Sequence, residues 1–456
     1  MPVSQPDVTI NIIPAQTEIS NEPQRVLFVG QQTSAATATS GALTQNIQNN
    51  SEEDTLYGEN SALAGMIRAA KELNQITRMD AIGLDDNGGA VAATGDVTFV
   101  GTATESGVIT VIVGSELNHK FEVSVADTDT ATTIGAALAS LITADTKAPI
   151  TAANVAGVVT LTAVNAGLVG NFIAIKVTGA VAGVTTTIGA MSGGTTNPTL
   201  TNVFDVVGDT RYQTVIWPGV FATTELNSFL GDRFNVTNDV LDGVGFQTVT
   251  DTFANLQTLG NTEDTQTLVI IANKVVSETL YEGSAILELD DVITSQFGAL
   301  RSKRLTKDAN IANIVIATNG ARDSFGGAAI ASLPYFNTPF RNLPLIETGK
   351  GFTNQEAENL KTAGISRIGP NTAGRTMIAD EIVTTYKTNA AGNPDPTFKF
   401  LNNVDTPSGA REFFFNNLKA RFAQSRLTAG DVLPNRNMAN QAVIEAVLDG
   451  FYLTLT

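Results

Sequence analysis

The stretches Phe246-Gln247-Thr248-Val249-Thr250 and Thr267-Leu268-Val269-Ile270-Ile271-Ala272 decide the fold of this chain. Both are short runs rich in apolar and β-branched residues, which is typical of strands buried in a sheet. The segment between them, about Asp251–Leu259, predicts a helix. A strand, a helix and a second strand in this order favour a parallel pair joined by a crossover, and hence an α/β layer.

The same alternation extends outward along the chain in both directions. The further elements that the sequence predicts are strands over Arg25–Gly30, Tyr212–Trp217 and Ile311–Thr318, and helices over about Ser61–Gln75, Thr223–Phe234 and Gly283–Leu305. Alternation over this length predicts an α/β core with a mostly parallel sheet, formed by residues 26–94 and 198–372.

The composition changes abruptly near Gly95, and residues 95–197 are dominated by Val, Thr, Gly and Ala. Their β-branched runs are separated by Gly, Asn and Asp turns, a pattern typical of a sandwich or barrel. The predicted strands lie at about 96–100, 107–113, 120–125, 158–163 and 172–177, and one helix lies at about 130–143. We interpret this segment as an inserted all-β domain.

The N-terminal residues 1–25 predict an extended arm. Val8–Ile12 alternates with period two, and Pro6, Pro14 and Pro23 exclude a helix. A strand this short cannot stabilise itself alone. The arm therefore has to pair with another segment.

Residues 373–456 predict an α+β C-terminal domain, with helices near Arg411–Arg426 and from Asn437 onward. The end of the chain allows two interpretations. One is a short arm strand, because large apolar side chains alternate along Phe451-Tyr452-Leu453-Thr454-Leu455. The other is a helix that continues to Leu455, because an apolar stripe with helical spacing includes Ala439, Ala442, Val443, Ala446 and Val447.

The charge balance excludes several classes of function. The chain has 456 residues, a net charge of −18 and only 16% charged residues. Such a surface would repel a phosphate backbone, because nucleic-acid binding depends on Lys and Arg. No run approaches the roughly 20 apolar residues that span a bilayer, and the N-terminus lacks the features of a signal peptide. We expect no direct nucleic-acid contact, no membrane insertion and synthesis inside the cell.

The residues for most catalytic and metal chemistry are missing. The chain has no Cys and one His, which excludes thiolate zinc sites, cysteine nucleophiles and histidine clusters. Gly349-Lys350-Gly351 lacks the other residues of a phosphate-binding loop. We predict no enzyme activity, no cofactor and no metal, and we interpret His119 and the pair Asp290-Asp291 as surface residues.

One basic feature stands out against the acidic background. The predicted helix near the C-terminus and its end contain Arg411, Lys419, Arg421 and Arg426, which we call the basic strip. It is either an ordinary solvated helix face or a surface matched to an acidic partner. In the second case charge complementarity would set the register of binding rather than provide large affinity.

An ordered series of motifs in the last third of the chain resembles a known family. The series consists of Ala363-Gly364-Ile365, then Gly374–Ile378, then Ile382–Asp395. It is similar to the tail sheath proteins of contractile-tailed bacteriophages, most closely the Mu-like group. The residues of this chain that match the family pattern in the last segment are Thr384, Thr385, Tyr386, Gly392 and Asp395. The resemblance covers residues 200–456 and, by type, the arm.

The resemblance implies a structural subunit of a contractile tail sheath, with a subtilisin-like but non-catalytic α/β core. Such subunits form stacked hexameric rings around a tail tube and contract to drive the tube through the host envelope for genome delivery. The implied partners are further copies of this chain, the tail tube protein, and baseplate and tail terminator proteins. The implied location is the virion, after assembly in the host cytoplasm.

The resemblance also implies roles for the two ends, the insert and the basic strip. Strands donated to neighbouring subunits would come from the arm residues Val8, Thr9, Ile10, Asn11, Ile12 and Ile13 and, if the chain ends in a strand, from 451–455. The basic strip would face the tube, residues 373–456 would be tube-proximal, and residues 95–197 would form an outer domain.

A surface-layer or adhesin-like protein is the alternative that the Thr- and Gly-rich β content and the acidity also allow. That interpretation expects an export signal and repeated β modules, and neither is visible in the sequence. A hydrolase on an α/β scaffold is disfavoured because the residues of a catalytic triad are missing.

Overall fold

The computed structural model describes residues 24–234, 239–316, 335, 338–340, 342–370, 376–429 and 438–455, with the backbone alone for 306–316 and 451–455. The arm residues Val8–Ile13 therefore lie outside the described residues, as do Gly374 and Arg375 of the motif series. Among the helices of the described ranges, none combines the length and the apolar character that a bilayer span requires.

The described chain forms strands and helices in the following order. The strands are β1 (Arg25–Gln31), β2 (Leu43–Thr44), β3 (Arg78–Leu84), β4 (Thr94–Gly101), β5 (Gly107–Val113), β6 (Lys120–Val125), β7 (Ile150–Val155), β8 (Val158–Ala163), β9 (Ile175–Thr178), β10 (Val184–Ser192), β11 (Thr214–Ile216), β12 (Val244–Asp251), β13 (Leu268–Glu278), β14 (Tyr281–Ser284), β15 (Ile365–Pro370), β16 (Thr376–Ile378), β17 (Arg426–Leu427) and β18 (Met438–Ala439). The helices are α1 (Glu52–Tyr57), α2 (Ala62–Leu73), α3 (Ala131–Ala144), α4 (Thr224–Phe234), α5 (Phe253–Thr262), α6 (Asp290–Ile316), α7 (Asn354–Thr362), α8 (Leu401–Phe422) and α9 (Gln441–Leu455).

The centre of the structure is a run of parallel strands in the order β3-β1-β11-β12-β13-β15. Successive side chains of a strand point to opposite faces, and here both faces are buried. In β1, Val26 and Phe28 pack with α2 and α6, whereas Leu27 and Val29 pack with α4, α5 and α7 on the other face. The predicted α/β layer with a mostly parallel sheet is confirmed.

Short polar side chains begin several of the helices that cover the sheet. The Ser61 hydroxyl accepts a hydrogen bond from the backbone N–H of Ala64 at 3.1 Å and begins α2. Thr252 begins α5 in the same way. Thr353 and Glu356 form a reciprocal capping box at α7. These caps satisfy backbone N–H groups that have no partner within the helix.

The segment 95–197 is joined to the core through a continuous sheet. β14 pairs antiparallel with the second half of β13 and with β9, and β9 continues to β5 and β6. The strands β10-β4-β8-β7 form a second sheet. Its inner residues, such as Val97 and Leu161, share one hydrophobic core with Val111 of the first sheet and Leu138 of α3.

The region before and within α6 differs from two predictions. The helix begins at Asp290 rather than near Gly283, because residues 281–284 form strand β14. The predicted strand over 311–318 is also wrong, because the backbone is helical through Ile316. A short apolar run such as Ile311–Ile316 fits a strand and a buried helix equally well, and periodicity alone does not separate them.

The C-terminal part also differs from the prediction. α8 begins at Leu401, ten residues before the predicted start at Arg411, and ends at Phe422, so that Arg426 belongs to β17. The backbone is helical from Gln441 to Leu455. Of the two interpretations of the chain end, the helix is correct, and the possible arm strand over Phe451, Tyr452, Leu453, Thr454 and Leu455 is wrong. Ala439, which the predicted helical stripe includes, lies in β18 rather than in the helix.

We predict that Gly283→Ala destabilises the junction between the core and the segment 95–197. Gly283 has a φ of +133°, and a Cβ there would lie 2.4 Å from the Cβ of Ala174. Strain and overpacking should lower the free energy of unfolding by about 1–3 kcal/mol, measured by chemical denaturation. Gly409→Ala in α8 is the control, because nothing lies within 4 Å of its Cβ position. It should stabilise by about 0.5–1 kcal/mol, and equal effects of the two changes would contradict the prediction.

Candidate functional site

The pair Thr384 and Thr385 joins the C-terminal segment to the start of β13. Both residues are completely buried. The backbone N–H of Thr385 donates to the carbonyl of Leu268 at 3.0 Å, and its hydroxyl donates to the carbonyl of Thr265 at 3.0 Å. The hydroxyl of Thr384 donates to the carbonyl of Phe398 at 2.6 Å. The pair therefore connects the C-terminal segment to residues near the start of β13 that are distant in the sequence.

The remaining motif residues close a loop beside this pair. The Tyr386 hydroxyl donates to Asp395 Oδ2 at 2.7 Å, and this hydrogen bond raises the pKa of Tyr386 to about 12. Gly392 has a φ of +77°, a conformation that favours glycine, and its N–H donates to the carbonyl of Asn389 at 2.8 Å. The structure thus brings together all five motif residues, and their common effect is to shape and hold one loop.

Lys387 is a residue of this connection that the sequence analysis missed. Its Nζ donates to the carbonyls of Gly260 and Thr385, both at 2.7 Å, and to the carbonyl of Glu263. A cation at the C-terminal end of α5 satisfies carbonyls that have no partner within the helix. Burial lowers the pKa of Lys387. Its position directly after Tyr386 is the only signal that the sequence offers.

A buried ion pair joins α8 to the core, and sequence analysis did not identify it either. Arg301 of α6 donates to Asp405 Oδ1 of α8 at 2.6 Å and to the Thr214 hydroxyl of β11 at 2.8 Å. Tyr335 donates to the other oxygen of Asp405 at 2.9 Å. Near the middle of α8, Arg211 and Glu412 form a second pair at 2.6 Å. Nothing in the local sequence around these residues indicates the pairing.

The four residues of the basic strip do not form one surface. Arg411 is bound within the chain, because it donates to Asp242 at 2.7 Å and to the carbonyl of Phe234 at 3.0 Å. Lys419, Arg421 and Arg426 are exposed. Lys419 and Arg421 are two positions apart on α8, and side chains at that spacing point about 200° apart around a helix. The prediction of a continuous strip that includes Arg411 is wrong.

His119, Asp290 and Asp291 are not surface residues. His119 is 8% exposed, and its Nδ1 lies 2.7 Å from Asp145 Oδ2. Asp290 accepts hydrogen bonds from the Thr250 hydroxyl and backbone N–H. Asp290 points toward the ends of β12 and β13, where it contacts Thr250 and Asn273, and Asp291 accepts a hydrogen bond from the backbone of Gly219. The positions of these residues along a predicted helix do not show which of their side chains are buried by tertiary contacts.

Burial changes the titration of these carboxyl groups. It raises the pKa of Asp290 to about 6. Burial and the neighbouring charge of Asp290 raise the pKa of Asp291 to about 7. Within the described ranges, no three His, Asp or Glu side chains are arranged to hold a metal ion.

No protein-family model matches the chain. A comparison with curated proteins finds the Mu-like prophage FluMu tail sheath protein of Haemophilus influenzae, which is 23% identical over 412 residues, 88% of this chain and 76% of the relative. The predicted resemblance to Mu-like tail sheath proteins is confirmed. The match includes most of the chain, whereas the motif series belongs to its last third.

Solved structures of sheath proteins are also similar to this chain. A sheath tail protein of Listeria innocua covers 95% of this chain and 84% of its own, with 12% identity and a TM-score of 0.44. The alignment with a sheath tail protein of Desulfitobacterium hafniense covers 96% of this chain and 86% of that protein, with 12% identity and a TM-score of 0.45. The alignment with the helical sheath of the anti-feeding prophage in its contracted state covers 99% of this chain and 84% of that chain, with 11% identity and a TM-score of 0.41.

We predict that Asp291 makes stability fall as the pH rises. Its pKa is raised in the folded state, so the folded chain binds more protons than the unfolded chain between about pH 4 and pH 7. In that window the free energy of unfolding decreases with pH. Asp291→Asn cannot titrate and should reduce the decrease by more than about 1 kcal/mol.

Calorimetric unfolding temperatures at intervals from pH 4.5 to pH 8 test this prediction. Asp127→Asn is the matched control, because Asp127 is an exposed carboxylate of the segment 95–197. The control should have the same pH dependence as the unmodified chain. Parallel pH profiles for the unmodified chain and Asp291→Asn would contradict the prediction.

Proposed function

We propose that this chain is a structural subunit of a contractile tail sheath, which polymerises as stacked hexameric rings around a tail tube. The observation that supports this most strongly is the similarity to a Mu-like prophage tail sheath protein along 88% of the chain. A surface-layer or adhesin-like role is not favoured by that similarity. We also propose that the core keeps the subtilisin-like arrangement that the resemblance implies, without catalysis.

The internal connections support a subunit that moves as one body. The core sheet continues through β14 into β9, and the Arg301–Asp405 pair ties α8 to the core. We propose that contraction changes the contacts between subunits and leaves each subunit largely intact. A gain of a few kcal/mol per subunit, typical of the gap between two conformations, becomes large when many copies convert together.

The arm is proposed to connect neighbouring subunits by adding a strand to a neighbour's sheet. Twenty-three residues precede Gln24, and a fully extended chain of that length spans up to about 75 Å. Main-chain hydrogen bonds would give the strength of this contact, and the alternation along Val8–Ile13 would give its register. The 451–455 segment is helical, so we assign no donated strand to it.

The sheet of β17 and β18 is the proposed acceptor. Arg426–Leu427 pairs in parallel with Met438–Ala439, and Leu427 is 74% exposed. Among the described residues no further strand joins this pair. Two short strands are marginally stable in water by themselves. A strand from another copy would complete the sheet and cover Leu427.

The exposed residues of the basic strip, Lys419, Arg421 and Arg426, are proposed to contact acidic groups of the tube from different sides of the end of α8, since Lys419 and Arg421 do not share one helix face. Exposed charges contribute little affinity each and are screened by salt. Such a contact would position the sheath and still let it slide. Residues 373–456 would be tube-proximal and 95–197 would be the outer domain, with baseplate and terminator proteins at the ends of the sheath. The assembled sheath would be part of the virion, after assembly in the host cytoplasm.

We predict that deletion of residues 2–23 prevents polymerisation, because the donated strand is then missing. Negative-stain microscopy of the purified chain should show hollow cylinders for the full chain and separate subunits for the deletion variant. Ile10→Pro should act like the deletion, since proline cannot donate to a ladder, and Ile10→Val is the matched control that should still polymerise. Cylinders of normal length and number from the deletion variant would contradict the arm proposal.

We predict that the triple change Lys419→Glu, Arg421→Glu and Arg426→Glu reduces assembly on the tube about tenfold, because like charges oppose docking. Sheathed tubes are counted by microscopy after co-expression with the tube protein. Lys120→Glu, an exposed position on β6, is the control and should assemble normally. Unchanged numbers of sheathed tubes in the triple variant would remove the tube-facing role.

A further inference from the structure

A cavity of about 330 Å³ lies between the core and the segment 95–197. Residues of α2, the first turn of α6 and the loops around His119 and Val169 line it. Its apolar wall includes Ile173, Leu289 and Val292. Glu72, which is exposed, also lines the cavity and connects it with the solvent.

Four carboxylates that line this cavity, Glu72 and three near the start of α6, have no cation partner among the described residues. Within the described ranges, Glu288, Asp290 and Asp291 take part in no ion pair. The Lys and Arg that line the cavity are already used, since Arg68 and Lys147 both bind Asp54. When these carboxyl groups are ionised, no cation among the described residues compensates their charge.

A separate observation indicates that a hydrogen-bond donor is missing. Gln296 lines the cavity and is 1% exposed. Its Nε2 donates to the carbonyl of Asn342 at 3.0 Å, but its Oε1 accepts no hydrogen bond from the described residues. A buried acceptor without a donor costs about 1–3 kcal/mol. A ligand with N–H groups would remove this cost.

We propose that the cavity binds an aliphatic ammonium ion, with Glu288, Asp291 and Gln296 as acceptors and the apolar wall against its methylene chain. Within the described residues, no three carboxylates are arranged to hold a metal ion. A diamine has N–H donors at both ends of a methylene chain and so suits a cavity lined by carboxyl groups and an apolar wall. The proposal does not depend on the sheath function.

The ammonium ion has two possible sources with the same chemistry. One is a free diamine, and the other is a Lys side chain of a second copy of the chain. The other titratable and charged groups that line the cavity are Arg68, Glu72, His119, Asp145 and Lys147. Burial raises the pKa of Glu288 to about 8. Because bound cations favour the ionised carboxylates, binding should tighten from pH 6 to pH 8.5.

Isothermal titration of the full chain with 1,4-diaminobutane tests the proposal. We expect saturable 1:1 binding that weakens at least tenfold in Glu288→Gln and in Asp291→Asn, since a charge-assisted hydrogen bond is lost. Gln296→Leu should also weaken it without a change in charge. Asp127→Asn is the matched control and should bind normally. Unfolding temperatures establish that each variant is folded.

Two further measurements distinguish a free diamine from a Lys side chain of a second copy and show which results would contradict the proposal. Diamine binding that leaves self-association unchanged identifies a free amine. Diamine that competes with self-association of the unmodified chain, but not of Asp291→Asn, identifies a Lys side chain of a second copy. No saturable binding, equal binding by all variants, or equal occupancy by Mg²⁺ and diamine would each overturn the proposal. None of these results bears on whether the chain forms a sheath.

Discussion

The hydrogen bonds of one strand, β13, hold the main parts of this structure together. Its first half pairs with β12 and β15 in the parallel core, and its second half pairs with β14, which leads to β9. The carbonyl of Leu268 at its start accepts the N–H of Thr385. Each buried backbone group requires a partner. A shift of β13 would therefore break the core sheet, the connection to the segment 95–197 and the motif loop at once.

Buried ion pairs add to the backbone hydrogen bonds that hold the parts of the structure together. Arg301 and Asp405 are both nearly inaccessible. Arg301 also donates to the Thr214 hydroxyl, and Asp405 also accepts from Tyr335, whereas Arg301 Nε has no partner among the described residues. Removal of one partner from a buried pair leaves an uncompensated charge, which is far more costly than the pair is stabilising. Arg211 and Glu412 repeat this arrangement farther along α8. The ion pairs thus determine where α8 lies more than they add to stability.

Sequence analysis predicted the features that depend on local patterns and missed those that depend on contacts between residues far apart in the sequence. The strands of the core were predictable because burial on both faces leaves runs such as Leu268–Ala272 almost without polar residues. The family resemblance identified Tyr386 and Asp395 as parts of one motif, and the hydrogen bond between them spans only nine positions. The partner of Thr385 lies 120 positions away, and no pattern shows it. Asp290 and Asp291 were misplaced for the same reason, because tertiary contacts decide where a helix end points.

Continuity of the sheet also constrains how the proposed sheath polymer could change. Residues 95–197 cannot rotate against the core without separation of β14 from β9 or β13, and such a break exposes backbone groups. The Arg301–Asp405 pair opposes a rotation of α8 in the same way. Large rearrangements are therefore least costly at surfaces between subunits, where contacts are exposed and charges are screened. A donated strand suits this division, because it keeps two rigid bodies connected while the surfaces around it change.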